Sequence, residues 1–387
     1  MSAETLVIKG GTVLTPFVKI DRGIVRIHNG KIAKVGRRIS TSSASDVIDA
    51  SGMIVAPGFV DTHVHGGRGF DIMDGTIEAV GQIAQYHALF GTTSMLATTT
   101  TDSLDRITKA VRATRRFIET GTGGANVIGI HLEGPYINSE EGGAQNVEHV
   151  RSPSISELRR ILEESGDLVR IVTLAPEAKG ALGIIAALRD RSIVASAGHS
   201  NATYAEMVSA IEAGITHVTH IFNGMRKFHH REPGIIGAAL TRQELTVSVI
   251  ADGIHVHPSA VRLLFGAKGA DDIVLISDAI RAAGMSDGSY DLGGLAVTVT
   301  NGVCRLASGT LAGSTLTLNT ALRNVVNFLG VPLSDALKMT SANPARVIGF
   351  GHSKGALEEG KDADIVILDE DLNVRNTIVR GRIITGI

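Results

Sequence analysis

The sequence predicts an α/β fold: a (β/α)8 TIM-like barrel with a small β-sandwich domain built from both chain ends. Three observations carry that prediction. Eight apolar, strand-like runs recur through the middle of the chain, and helical patterns separate them. Near-continuous apolar strands alternating with helices indicate parallel pairing with both faces covered. Both ends of the chain read instead as short strands broken by turn residues. Eight strand–helix units over about 290 residues match a closed barrel better than an open sheet.

Taken in order, "TLVIKGGTVLTP", "GIVRIHNGKIAKVG" and "DVIDASGMIVAP" carry Gly-Gly and Asn-Gly breaks that suit hairpins. The closing "KGALEEGKDADIVILDEDLNVRNTIVRGRIITG" reads alike. The expected division is therefore residues 1–55 and 346–387 for the two parts of the sandwich, and 56–345 for the barrel. The eight barrel strands are expected in "MIVAPGFVDTH", "GTTSMLATTT", "NVIGIHLEG", "VRIVTLAPE", "SIVASAGHS", "THVTHIFN", "LTVSVIADG" and "DIVLISDA". Amphipathic spacing predicts helices over 77–90, 104–120, 154–165, 181–190, 203–213 and 259–267. The connection "GMRKFHHREPGIIGAALTRQE" has the weakest helical signal. A doubly wound open sheet is the runner-up, but the first strand lacks the G-x-G-x-x-G turn of a dinucleotide fold.

Composition narrows the function. The 387 residues are 43% hydrophobic and 20% charged, so a sizeable core forms and disorder is not expected. Lys+Arg of 37 against Asp+Glu of 39 leaves a formal charge of −2. No basic excess points to nucleic acid, and no Lys/Arg run suits a membrane surface. Cys304 is the single cysteine, which excludes an intramolecular disulfide and fits a reducing compartment. It reads as a small residue in a strand. The acidic opening "MSAETLVIKGG" does not read as a signal peptide, and no apolar run approaches 18 residues. A cytoplasmic protein without membrane or nucleic-acid partners is expected.

The chemistry collects at the strand ends, which is where a (β/α)8 barrel carries its active site. In "IVAPGFVDTHVHG", His63 and His65 are two apart on a strand and point to the same side. Later strand ends add His131 and Glu133 in "GIHLEGP", His199 in "SAGHS" and His220 in "THIFN". Asp252 and His255 follow in "ADGIH", and Asp278 in "ISDA". Histidines at five strand mouths, with acids in "LAPE" and "ISDA" at two more, point to a metal centre. Glu133 in an apolar run needs a cationic partner, which a divalent metal provides. The spacing of 21 residues places His199 and His220 on adjacent strands. Imidazole and carboxylate suit zinc or a similar ion. Asp278 can move a proton for a metal-activated water, or cap the helix start "SDAIRAAG". His131 is either a ligand or a core histidine. His149 and His217 read as structural or exposed, and His229 and His230 stay open.

These motifs resemble those of the amidohydrolase superfamily, beginning with "PGFVDTHVHG". More closely, "HLEGPYIN", "AGHSNAT", "THIFNGM", "HHREPG", "IADGIHVHP", "SDA" and "TLAGSTLTLN" resemble the N-acetylglucosamine-6-phosphate deacetylase family over nearly the whole chain. The resemblance implies hydrolysis of an acetamide to glucosamine 6-phosphate and acetate. It implies Glu133, His199 and His220 as metal ligands, with His63, His65 and Asp278 able to hold a second ion. One or two divalent ions per subunit follow, zinc first, with iron, manganese or cobalt as alternatives. Asp278 matches the catalytic acid/base. Ala144, Gln145, Asn223, Gly224, Arg231, His255, Leu311, Ala312 and Gly313 match substrate-contacting positions. Arg231 is expected from the neighbouring subunit of a homodimer, where its planar fork suits phosphate oxygens.

Two positions depart from the family pattern. Gln145 stands where a histidine that bonds the substrate carbonyl is usual, and Gly224 stands where alanine is usual. Gly224 is expected to keep its backbone contact and only loosen it. No lysine ends the fourth strand, and Lys179 falls in the loop beyond it, so a carboxylated lysine is not expected. The alternatives are the galacto isomer of the substrate, a different amidohydrolase such as a dihydroorotase or hydantoinase, and a non-catalytic barrel scaffold.

Overall fold

The apolar runs become eight parallel strands, Phe59–Val64, Thr92–Thr99, Asn126–Glu133, Val169–Leu174, Val194–Ala197, Ile215–Val218, Thr246–Val249 and Ile273–Leu275. They pair in chain order in a single sheet of the computed structural model, which describes residues 5–41, 44–121 and 123–384. Residues 1–4 of the opening stretch read above lie outside the described residues. A parallel bridge between Val64 and Ala279 joins the first strand to the segment after the eighth, so the sheet closes on itself. The backbone N–H groups of His65 and Gly66 both donate to the Ala279 carbonyl at that seam. Burial on both faces explains the apolar runs: every residue of Ile273–Leu275 is buried.

Helices cover the outside. Ile77–Ala88, Leu104–Thr120, Ile155–Ser165 and Tyr204–Ala213 each start at a Thr or Ser whose side chain accepts from the first turn. Ala181–Arg189 and Pro258–Lys268 complete the expected set. The weak stretch holds a helix of eight residues, Gly234–Thr241, without a side-chain cap. Six of its residues are buried, so it lacks the polar face on which an amphipathic signal depends. Among the described residues, no helix is long and apolar enough to cross a membrane.

One element has no counterpart in the sequence reading. Between the eighth strand and helix Leu318–Leu329 lies an antiparallel meander, Gly288–Leu292, Leu295–Thr300 and Val303–Leu306. Val297, Val299 and Cys304 pack on its inner side against Ile280, Leu292 and Ala312. Cys304 is thus a small buried strand residue, and burial pushes its thiol up to about 12.

The chain ends form two further sheets. One contains Thr5–Lys9, Ile24–His28, Lys31–Gly36 and Asp46–Asp49. In the other, Ile365–Leu368 pairs antiparallel with Ile54–Pro57, so the two ends of the chain share a six-stranded sheet. Leu6, Ile8, Val25 and Ile27 of the first sheet share a core with Val13, Ile365, Ile367 and Ile378 of the second.

A buried ion pair fastens this layer to the barrel. Lys354, 3% exposed, donates to Asp364 at 2.6 Å and Asp362 at 3.0 Å. Asp364 also accepts from Ser94 of the second barrel strand and from the Arg380 backbone. Lys354→Ala leaves both carboxylates without this cation, and we expect a loss of about 3 kcal/mol in urea unfolding. An unchanged midpoint would contradict the role assigned to this pair.

Candidate metal centre

Strand geometry delivers the donors to one point. His63, near the end of the first strand, and His65 just beyond it bring their Nε2 atoms within 3.0 Å of each other, as the i, i+2 spacing requires. Glu133 ends the third strand. His199, His220 and Asp278 follow the fifth, sixth and eighth strands, each with φ in the left-handed region at 47°, 28° and 50°. Non-glycine residues avoid that region, and each such residue costs on the order of 1–3 kcal/mol. The barrel accepts this strain at three donor positions.

Glu133 sits at the centre of the cluster. Its Oε1 lies 3.0 Å from His220 Nε2, 3.2 Å from His199 Nε2 and 3.4 Å from His63 Nε2. Its Oε2 lies 3.2 Å from His65 Nε2. Asp278 Oδ1 stands 3.4 Å from His63 Nε2 and 3.2 Å from His65 Nε2. Two ligand groups result, His63–His65–Glu133 and Glu133–His199–His220, and every member is buried.

The outer hydrogen bonds decide what these nitrogens offer. His199 Nδ1 faces the Glu141 carbonyl at 3.0 Å, His220 Nδ1 the Asn223 carbonyl at 3.1 Å, and His65 Nδ1 the Thr98 carbonyl at 3.3 Å. A carbonyl only accepts, so each Nδ1 carries the hydrogen, and in the neutral ring Nε2 presents its lone pair. Three Nε2 atoms then converge on carboxylate oxygens, an arrangement that needs positive charge at that point, from protons on the rings or from a cation among them. The donor set fits a divalent metal, and backbone carbonyls orient the ligands as metal sites commonly arrange.

Charge supports the same reading. Burial alone would raise both acids. The charge of His63 and the hydrogen bonds of His199 and His220 instead hold Glu133 well below the usual carboxylate range. The charge of His63 and the hydrogen bond of His65 bring Asp278 down to about 2. Both are ionised at neutral pH. Asp61 stays out of the cluster: its Oδ1 accepts from the backbone of His63 and Ser277, stitching the first strand to the end of the eighth.

The remaining histidines separate cleanly. His131 is a core residue, with Nδ1 on the Thr62 carbonyl at 3.0 Å and Nε2 on Thr173 Oγ1 at 2.7 Å. Burial keeps it neutral, far below the usual histidine range. His217 bonds Thr246 and is driven by burial to about 3. His149 approaches Asp102 at 3.6 Å, while His229 and His230 are exposed. On the fourth strand the buried Thr173 lies inside the barrel, and Lys179 is exposed in the loop, so no lysine reaches the centre.

A cavity of about 280 Å³ opens over the cluster. Of the expected substrate residues, Ala144, Gln145, Asn223, Gly224, His255, Leu311 and Gly313 line it. Ala312 does not; it is fully buried beneath the meander. Arg231 is exposed and outside the lining of its own chain's cavity. His255 is braced by Asp252, whose Oδ2 accepts from Nδ1 at 2.7 Å. Gly224 does more than loosen a contact: its φ is +56°, and a Cβ there would lie 2.8 Å from His199 Nδ1. Glu177, the acid of the strand end "LAPE", holds Asn138, Ser200 and the Asn201 backbone beside His199. Leu292 and Thr310 also line the cavity. They come from around the unforeseen meander, so no strand-end pattern pointed to them.

A profile of the amidohydrolase family matches residues 54–384. The chain belongs to the amidohydrolase family. This amidohydrolase is 40% identical to an N-acetylglucosamine-6-phosphate deacetylase of Bacillus subtilis, over 98% of this chain and 97% of the relative. It is 39% identical to an N-acetylgalactosamine-6-phosphate deacetylase of Escherichia coli O157:H7, over 98% of this chain and 99% of the relative. Among solved structures, the N-acetyl-D-glucosamine-6-phosphate deacetylase of Mycobacterium smegmatis, in complex with N-acetyl-D-glucosamine-6-phosphate, superposes with a TM-score of 0.92 at 36% identity. That match covers 100% of both chains.

Because Glu133 belongs to both ligand groups of this amidohydrolase, its loss should strike both. Elemental analysis after dialysis is expected to find Glu133→Gln nearly free of metal, while His63→Ala keeps an ion on Glu133, His199 and His220. Equal retention in the two variants would contradict the shared carboxylate.

Proposed function

We propose that the chain hydrolyses the acetamide of N-acetyl-D-glucosamine 6-phosphate, releasing D-glucosamine 6-phosphate and acetate in amino-sugar breakdown and recycling. The observation that carries this reading is the five-donor cluster with ionised Asp278 at the floor of a small cavity, in a chain whose full-length relatives carry that name. Zinc is the metal we assign, since borderline imidazole and carboxylate ligands suit it. Glu133, His199 and His220 would hold one ion, with His63, His65 and Asp278 available for a second. When bound, such a cation supplies a more acidic water and a polarised amide carbonyl.

The chain's own groups do the rest. Asp278, ionised at neutral pH, accepts a proton from the attacking water and returns it to the departing amine. The C–N bond breaks, the acetyl carbon keeps the water oxygen as acetate, and the sugar leaves with its amine protonated. His255, oriented by Asp252, and the backbone at Asn223 and Gly224 hold the sugar phosphate. None of the cavity's lining residues is Lys or Arg. A phosphate there needs a cation from elsewhere, and Arg231 of the partner subunit in a homodimer is the group we assign. We place the enzyme in the cytoplasm, in keeping with its single cysteine.

The galacto isomer is the second reading, because the Escherichia coli relative of nearly equal identity is named for it. Acetate release from both isomers tests the pair. We expect the gluco sugar to turn over at least about tenfold more efficiently in kcat/KM. Inertness on both would overturn the assignment, and a galacto preference would transfer it to the second reading.

Two substitutions test the assigned roles. Asp278→Asn should keep bound metal on Glu133, His199 and His220 but lose kcat by about 10²–10⁴. Arg231→Ala should raise KM for the phosphorylated sugar about tenfold or more and leave the unphosphorylated sugar unaffected. Equal changes on both sugars would remove the phosphate role.

A further inference from the structure

The buried Gln145 amide lies between two groups that fix its orientation. Its Oε1 accepts from the backbone N–H of Thr101 at 2.6 Å, and its Nε2 donates to Glu133 Oε2 at 2.5 Å. The Thr101 N–H can only donate, so the amide atom facing it is the oxygen and the atom facing Glu133 is the NH2. Gln145 itself sits in the loop after the third strand, with its own N–H on the Gly142 carbonyl. One side chain therefore connects that loop to the end of the second strand and to the carboxylate that ends the third.

Glu133 requires such a hold. The torsion that turns a glutamate carboxylate is broad and roughly two-fold, so by itself the group rotates. Here its two oxygens serve different partners: Oε1 faces His63, His199 and His220, and Oε2 faces His65. A rotation of the carboxylate plane would misplace both oxygens at once. Gln145 is the neutral side-chain donor that fixes Oε2. A lysine or imidazolium in its place would pair with Glu133 and compete with a metal for its charge. The amide orients the oxygen without that competition.

We propose that Gln145 is a positioning residue for the shared carboxylate, acting on the metal centre through Glu133 rather than through the substrate carbonyl. The proposal rests on the metal reading above. Its first readout is metal retention without substrate, so it can fail or hold independently of the deacetylase assignment.

Gln145→Met keeps length and removes both hydrogen-bonding ends. Chelator competition on the zinc-loaded variant should show an affinity about 10- to 100-fold weaker than wild type. Its metal-free melting temperature should match that of the metal-free wild type, which separates the effect from misfolding. With N-acetyl-D-glucosamine 6-phosphate at saturating zinc, kcat should fall while KM stays within about threefold. Gln145→His, which can accept with one ring nitrogen and donate with the other, should recover most of the lost zinc affinity. Wild-type zinc affinity in Gln145→Met would overturn the proposal, and so would a raised KM with unchanged metal retention.

Discussion

One carboxylate organises the centre. Glu133 is buried at the end of a barrel strand, where an unpaired charge is strongly unfavourable. It is ionised there because the surrounding imidazoles supply charge and hydrogen bonds, and backbone carbonyls fix three of the four rings with Nε2 towards it. That geometry is poor for a metal-free protein and good for a metalloprotein. The strained backbone at His199, His220 and Asp278 follows from the same requirement.

The rest of the fold serves this point. Closure of the sheet at Val64 and Ala279 brings Asp278 beside His63 and His65, although more than two hundred residues separate them. Asp61 reinforces the same seam from below. Around the rim, Glu177 locks the loop bearing Asn138 to the turn after His199, and Gly224 leaves space against that ring. The meander at 288–306 roofs one side, and its packing draws Ala312 inward while Leu311 and Gly313 face the cavity. Lys and Arg are absent from that lining, so the cavity of this chain offers no permanently charged cation to an anionic group.

Much of this was legible in the residues. Eight runs gave eight strands because strands buried on both faces carry mostly aliphatic or small hydroxyl side chains and few charges. The His63–His65 pair and Glu133 could be placed because a period of two and a lone acid in an apolar run each have few explanations. His131 was undecided for a physical reason: its strand phase also points inward, and only the bonds to Thr62 and Thr173 show that both nitrogens are occupied. The meander has no counterpart in the sequence reading because its strands are buried on one face only and carry no continuous apolar run of the kind that marks the barrel. Helix Gly234–Thr241 was faint because it is apolar almost all round. The role of Gln145 was invisible, since its partners Thr101 and Glu133 are distant in sequence and one of them is a backbone group.

The buried donors around Glu133 call for a bound metal ion. Anomalous diffraction from crystals of the protein purified without chelator, collected at the metal's absorption edge, tests it most directly. A peak enclosed by Glu133, His199 and His220 is the expected result. A cluster without an anomalous peak in protein that is active on N-acetyl-D-glucosamine 6-phosphate would contradict it.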